Sequence, residues 1–362
     1  MSSEINSIDL EKKEPSKSFF EKIKEPETKS LLILLVIALL VRIMFSVLFN
    51  TGHPTDINNF RAWCLEVTKR GVHDFFLPVP KGIWCDYPPG YIYVLYFFGK
   101  IYQLFDPLLQ SWSGTGFTTI VKMPGILADI ANVYLIYKLT RRYVPNFIAI
   151  STATIYAFQP AIFYESAVWG QMDSVIVLFL LLSIMYLIDH KYALSIFVTA
   201  IGCLMKPQGI LLIPFIGFVC LYNKAFKQII IGVASSLALV FLLTLPITNS
   251  IGQVLPWLWE HYVSQANLYP YSSIQTFNLW ALTGLWTKDS RTILAVSHKT
   301  WGLLLFGGFY VYCLYYYVIK SKVEKNPDLN NFINESERKL KEYRAEKLLK
   351  IKEFSDQIAN LV

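Results

Sequence analysis

Residues 31–49 read LLILLVIALLVRIMFSVLF. Nineteen residues with a single charge, Arg42, are long enough as a helix to cross a bilayer core of about 30 Å. The run follows a 30-residue polar tail and has no small-residue cleavage site, so it reads as an uncleaved anchor. Four residues after it the character changes to HPTDINNFRAW (53–63), where an acid, an amide pair, a base and an aromatic stand together.

Working outward, further apolar runs occupy roughly 118–138, 146–162, 174–188, 192–205, 207–222, 228–247 and 296–319. The expected fold is an all-α polytopic membrane protein of about eight spans. The chain has 33 Lys and Arg and 26 Asp and Glu, but residues 31–319 hold only 17 and 11 of them. With 54% hydrophobic and 16% charged residues, a soluble domain, a disordered chain, a disulfide scaffold and a nucleic-acid binder are all excluded. Ionisable groups that persist in so apolar a body are functional by default.

Eight spans place both tails on one side. Lys138, Arg141, Arg142, Lys191, Lys224, Lys227, Lys320 and Lys322 fall on that side, which the positive-inside rule makes cytoplasmic. The expected organisation is a cytoplasmic tail at 1–30, a membrane domain at 31–319 and a charged helical tail at 320–362. Two external loops follow, about 50–117 and 248–295, both rich in Trp, Tyr and Pro. The apolar stretch 90–105 carries Lys100 and several tyrosines and reads as an interfacial helix in the first loop. Cys64 and Cys85 share that loop and are a possible disulfide.

Four clusters on the external face can carry chemistry. In the first, Asp56 can accept a proton from a hydroxyl or N-cap a helix over 57–70; one does not exclude the other. In the second, Asp86-Tyr87-Pro88-Pro89-Gly90, a rigid turn presents a carboxylate. The third, Glu165 through Trp169, Gln171 and Asp173 to Ser174, can stack on and hydrogen-bond a sugar, or supply an interfacial Trp and a helix cap. The fourth, Lys206-Pro207-Gln208, offers a cation to an anion such as phosphate, or a lysine that snorkels. Lys122 is a weaker cation of the same kind. His261, Gln275 and the aromatics of 257–280 add further contacts. No Asp-x-Asp triplet, phosphate-binding Gly loop, HExxH or GxSxG occurs, so neither a metal nor another cofactor is expected.

These clusters, in this order, resemble the lipid-dependent GT-C glycosyltransferases. The nearest likeness is to the dolichyl-phosphate-glucose-dependent glucosyltransferases of N-glycan precursor assembly. Asp56, Arg61 and Trp63 keep the spacing of that family's Gly-Asp-Tyr-Glu-Ala-Gln-Arg-His-Trp stretch, and Asp86-Tyr87-Pro88-Pro89 repeats its Asp-Tyr-Pro-Pro. Gln171 and Ser174 match its His-Phe-Gln-Tyr-Asn-Ser, Lys206 and Gln208 its Lys-Gln-Met, and Tyr269 through Trp280 its late Phe-Pro-Phe segment. Trp169 stands where that family has His, the late segment lacks its Arg, and the family carries several more spans. The resemblance covers about residues 30–285.

It implies a GT-C helix bundle and an inverting hexosyltransferase in which Asp56 is the base. Arg61, Asp86, Tyr87, Trp169, Gln171, Asp173, Gln208 and Gln275 would bind substrate. Lys206, Lys122 and His261 would hold the lipid phosphate. The implied partners are a polyprenyl- or dolichyl-phosphate-linked sugar, a glycan or lipid-linked acceptor, and the membrane (plasma membrane in a prokaryote, endoplasmic reticulum in a eukaryote). Two alternatives stay open on the residues alone. One is an ion-coupled transporter using Asp86, Asp173 and Lys206, with Asp129 as a mid-span acid; the other is an inactive GT-C-like assembly subunit.

Overall fold

The computed structural model describes residues 26–76, 85–266, 268–274, 278–328 and most of 330–350. They form two compact units, with the division after Asn267.

The first unit is a helical bundle. Its elements are α1 (Pro26–Leu48), α2 (Pro54–Phe76), α3 (Pro89–Gln103), α4 (Thr115–Thr140) and α5 (Asn146–Phe158). There follow α6 (Pro160–Phe163) and a π-helix (Tyr164–Trp169), then α7 (Asp173–Ile188), α8 (Tyr192–Met205), a 3-10 turn (Pro207–Leu212), α9 (Ile213–Tyr222), α10 (Phe226–Thr248) and α11 (Ile251–Ala266). Each of the eight predicted apolar segments is largely helical. Among the described residues four helices are long and apolar enough to cross a membrane, or five if α5 and its bent continuation to Trp169 count as one. The segments at 173–188, 192–205 and 207–222 are shorter apolar helices, so a full count of eight spans is not reached by length. The protein is an integral, multi-pass membrane protein.

The apolar faces explain the packing. In α2, Ile57, Phe60, Cys64 and Val67 recur at helical spacing and are buried. They meet Tyr91, Ile92 and Leu95 of α3 in one core that also holds Trp63, Phe117 and Met172. Truncating a buried aromatic such as Trp63 to Ala costs about 3–5 kcal/mol. At 15 residues, α3 extends about 22 Å, short of the bilayer core, and its buried face is turned to this cluster. Between α7 and α8, Ser183 Oγ lies 3.0 Å from Ser195 Oγ and 2.6 Å from Thr199 Oγ1. Such hydroxyl contacts join helices where no water competes.

One buried ion pair fastens the interior. Arg42 Nε of α1 donates to Asp129 Oδ2 of α4 at 3.0 Å, and both side chains are fully buried. Asp129 also accepts from Ser166 Oγ and Ser174 Oγ, each at 2.5 Å. Those serines stand at either end of the segment that carries Trp169, Gln171 and Asp173.

The expected helix 57–70 is longer at both ends. It begins at Pro54 and reaches Phe76 across a break at Gly71. Asp56 thus lies inside the first turn and is not the N-cap. The possible disulfide is absent: Cys64 and Cys85 are free. Their thiols approach different carbonyls, Leu95 O at 3.4 Å and Tyr87 O at 3.7 Å. Burial pushes the Cys64 thiol up to about 12.

In the second unit a 3-10 turn (Leu279–Thr283) is capped by the Asn278 side chain, which accepts from Trp280 N. A short hairpin pairs β1 (Thr292–Ile293) with β2 (Val296–Ser297). Ser297 caps α12 (His298–Lys325). The His298 ring stacks on Trp280 at 4.8 Å, and its Nδ1 is 3.0 Å from Ser272 Oγ. The described residues beyond 326 are helical, and Arg338 bridges Glu335 and Glu342 at spacings of three and four, as the charge pattern predicts. Gln275 lies outside the described residues.

Candidate active site

The site forms where three interrupted segments meet: the start of α2, the turn before α3, and the break between the π-helix and α7. Each interruption has a local cause. Gln159, ahead of Pro160, is held extended, and the two apolar helices bend by 49° there. The π-helix ends at Gly170, which takes a left-handed φ of 87° that suits glycine. A Cβ at Gly170 would also stand 2.7 Å from Ile57 Cδ1 of α2. The chain then passes through Gln171 and Met172 before α7 begins. Gly52, at φ 59°, lets the turn before α2 approach Trp169 O, to which His53 N donates at 2.9 Å.

Asp56 is the centre of this junction, with its side chain 28% exposed. Trp169 Nε1 donates to Asp56 Oδ2 at 2.7 Å and Gln171 Nε2 donates to the same oxygen at 3.2 Å. His53 Nδ1 is 3.6 Å from it. The three contacts share one oxygen, and among the described residues no donor reaches Oδ1. The His53 ring lies flat on Trp169, centroids 4.4 Å apart and planes 10° apart.

Gln171 connects Asp56 to the second cluster. Its Oε1 accepts from Tyr87 OH at 3.0 Å and from Met172 N at 3.0 Å, which fixes the amide so that Nε2 faces Asp56. Tyr87 packs its ring against Phe60, Trp63 and Tyr91. The Lys206 ammonium lies 5.6 Å above the Tyr87 ring and forms an ion pair with Asp173. Lys206 is placed there by extended backbone, φ −150° and ψ 140°, between α8 and the Pro207 turn. Glu165 of the π-helix lies beside the same Asp173 carboxylate.

Asp86 faces both charges. Burial holds its carboxyl above the usual carboxylate range, Lys206 opposes this, and Asp56 adds to it. His261 of α11 closes one side. Its Nε2 is 2.9 Å from Tyr87 O, so that nitrogen carries the hydrogen and the ring stacks on Trp257 at 5.2 Å. Burial lowers its pKa, against the effect of that hydrogen bond.

The predicted residues therefore divide. Asp56, Asp86, Tyr87, Trp169, Gln171, Asp173, Lys206 and His261 are gathered at one junction. Three others are elsewhere. Lys122 is buried at 1% exposure and its ammonium donates to the carbonyls of Phe49, Ala167 and Val168 at 2.8–3.1 Å. Its three N–H bonds are thereby used, and it holds the π-helix end against α1 instead of facing an anion. Arg61 donates to Trp112 O at 3.3 Å and lies 5.5 Å from the Trp112 ring centroid, away from Asp56. Gln208 is exposed beyond the Lys206 break. Ser174 belongs to the third sequence cluster, whereas Ser166 and the role of the Arg42 guanidinium are not evident there; a lone Arg inside a 19-residue apolar run is the signal for the last. Among the described residues no group of three or more His, Cys, Asp or Glu is arranged to hold a metal ion.

An apolar cavity of about 460 Å³ opens beside this junction, lined by Gly90, Tyr93 and Phe97 of α3, Leu204 and Met205 of α8, and Leu243 of α10. Its ends touch the residues next to Pro89 and Lys206.

An acid with one oxygen left open, a cation at a helix break and an adjoining apolar cavity are thus carried together on membrane helices. The family model for dolichyl-phosphate-mannose-protein mannosyltransferase matches residues 91–247, less than half of the chain, which supports a GT-C-type membrane glycosyltransferase that uses a lipid-phosphate-linked sugar. The match begins after Asp56 and Asp86 and takes in Trp169, Gln171, Asp173 and Lys206. It supports the superfamily and gives no support to the glucosyltransferase subtype that the sequence motifs resemble. No curated protein matches the chain.

Proposed function

We propose that the protein is an inverting hexosyltransferase that moves a sugar from a polyprenyl- or dolichyl-phosphate carrier to an acceptor hydroxyl at the outer or luminal membrane face. The observation that carries this reading is the asymmetry of Asp56. Oδ2 is fixed by Trp169 and Gln171, and Oδ1 is left to approach a substrate.

In this reading the acceptor hydroxyl gives its proton to Asp56 as its oxygen attacks the anomeric carbon. The bond from that carbon to the lipid phosphate breaks on the opposite side, which inverts the configuration. Lys206, drawn from Asp173 toward the incoming phosphate, offsets the charge that develops on the leaving oxygen. His261 stands across Tyr87 from it and lines the same space. Asp86, Asp173 and Tyr87 contact sugar hydroxyls. The cavity between α3, α8 and α10 takes the first prenyl units of the donor. The acceptor is a glycan or a lipid-linked glycan. Mannose, from the name of the matched family, is the first donor sugar to assay, and glucose the second.

The transporter alternative loses its mid-span acid, because Asp129 is held by Arg42, Ser166 and Ser174. The test is transfer of radiolabelled hexose from polyprenyl-phosphate donors by the purified protein in liposomes. Transfer that requires Asp56 supports the proposal; a protein that moves no sugar from any such donor refutes it.

A further inference from the structure

The proton that Asp56 accepts must leave before the next turnover, and one neighbour is placed to take it. We infer that His53 is the proton outlet and positioning partner of Asp56, an inference that rests on the transferase reading above.

Four observations place His53 in this role. Its Nδ1 faces Asp56 Oδ2 at 3.6 Å. That nitrogen is buried and has no hydrogen-bond partner among the described residues, whereas the residue as a whole is 26% exposed at its side chain. The ring is clamped flat on Trp169, the residue that orients Asp56. Its backbone N–H is tied to Trp169 O, and a Cβ at Gly52 would lie 2.6 Å from that same oxygen. The turn is thus built to hold one imidazole at one angle.

The nearby charges do not compete for it. Lys122, which approaches Gly170 from α4, is bound to three carbonyls. Glu165 lies on the Asp173 side of the junction. Asp86 is the other acid near Asp56.

The step balances without a further reagent. The acceptor O–H bond breaks and its proton binds Asp56; the new glycosidic bond forms as the bond to phosphate breaks, its electron pair leaving with the phosphate. Once protonated, Asp56 is a weaker acceptor for Trp169 and Gln171, and rotation of the carboxyl about Cβ–Cγ, a broad two-fold torsion, presents the protonated oxygen to Nδ1. The imidazole takes that proton on Nδ1 and releases the one on Nε2 to water, and proton exchange with water then returns the ring to its starting tautomer for the next turnover. His53 acts through Asp56 and touches neither sugar nor phosphate.

The experiment compares His53→Phe and His53→Ala in the full chain in liposomes. His53→Phe keeps the ring stack and removes the nitrogen. It is expected to lower kcat by about tenfold or more with the donor KM within about twofold, since donor binding does not involve His53. Added imidazole is expected to restore part of the kcat of His53→Ala. A wild-type kcat for His53→Phe overturns the inference, and so does a His53→Ala defect that imidazole leaves unchanged. Failure of the transferase reading looks different: the wild-type protein itself then transfers no sugar.

Discussion

Trp169 donates its indole N–H to Asp56 across 113 residues of chain. The contact joins the break after the π-helix to the first turn of α2, and it decides which carboxylate oxygen is free. Trp169→Phe keeps the stack on His53 and removes the donor. A hydrogen bond to a charged group contributes about 1.5–3 kcal/mol, so kcat is expected to fall by about tenfold or more with donor KM little changed. Steady-state transfer in liposomes measures this, and an unchanged kcat would mean that the indole does not orient the base.

Lys206→Met separates binding of the carrier phosphate from stability. Loss of the cation is expected to raise donor KM by about tenfold and to lower the melting temperature, because Asp173 is left half-buried without its partner. Adding Asp173→Asn should recover the melting temperature and leave the KM defect. If both recover, the lysine serves the fold alone.

The Arg42–Asp129 pair is expected to hold the bundle and the site together. Arg42→Met strands a fully buried carboxylate and should cost about 3–5 kcal/mol. The double variant Arg42→Met/Asp129→Leu should regain at least half of that, as measured by thermal unfolding in detergent. Ser166→Ala, which removes one of the two hydroxyls on Asp129, should cost about 1 kcal/mol. Equal losses in the single and double variants would deny the pairing.

Asp86 gives a pH prediction whose sign follows from its raised pKa. The folded state holds that proton more tightly than the unfolded chain, so the contribution to stability is greatest below the ordinary value of 3.8. It is lost as pH rises through the folded pKa. Asp86→Asn is therefore expected to raise the melting temperature at pH 7, with the advantage shrinking toward pH 4, while transfer falls. His261 has the opposite linkage. Its lowered pKa makes stability fall as pH drops below the ordinary value of 6.5, and His261→Asn should weaken that dependence. Melting curves between pH 4 and pH 8 read both effects.

Much of the site is legible along the chain because its residues sit at helix breaks, and breaks leave marks. Pro160, Gly170, Pro207 and the Pro88-Pro89 pair flag the interruptions, and a polar residue close to each of the last three belongs to the cluster. What spacing does not reveal is where a long side chain turns. Lys122 and Lys206 look alike as cations near apolar spans, yet one is enclosed by carbonyls and the other faces a carboxylate and a ring. Arg61 keeps a family-like spacing from Asp56 but turns to Trp112, because five residues of helix put it on a different face. Asp56 reads as a cap or a base; the helix starts two residues earlier, so Asp56 is not the cap, and its partner Trp169 arrives from distant sequence. The 28 charged residues of the apolar body point to function in general, but Arg42 and Asp129 meet only when α1 and α4 pack.

The central claim is that Asp56 is the base. The most direct test is hexose transfer by Asp56→Asn in liposomes, with wild-type folding verified by its melting temperature. The amide keeps the shape and cannot accept the proton. The account predicts that transfer falls by at least about 100-fold while the donor still binds. Near-wild-type transfer by Asp56→Asn would contradict it.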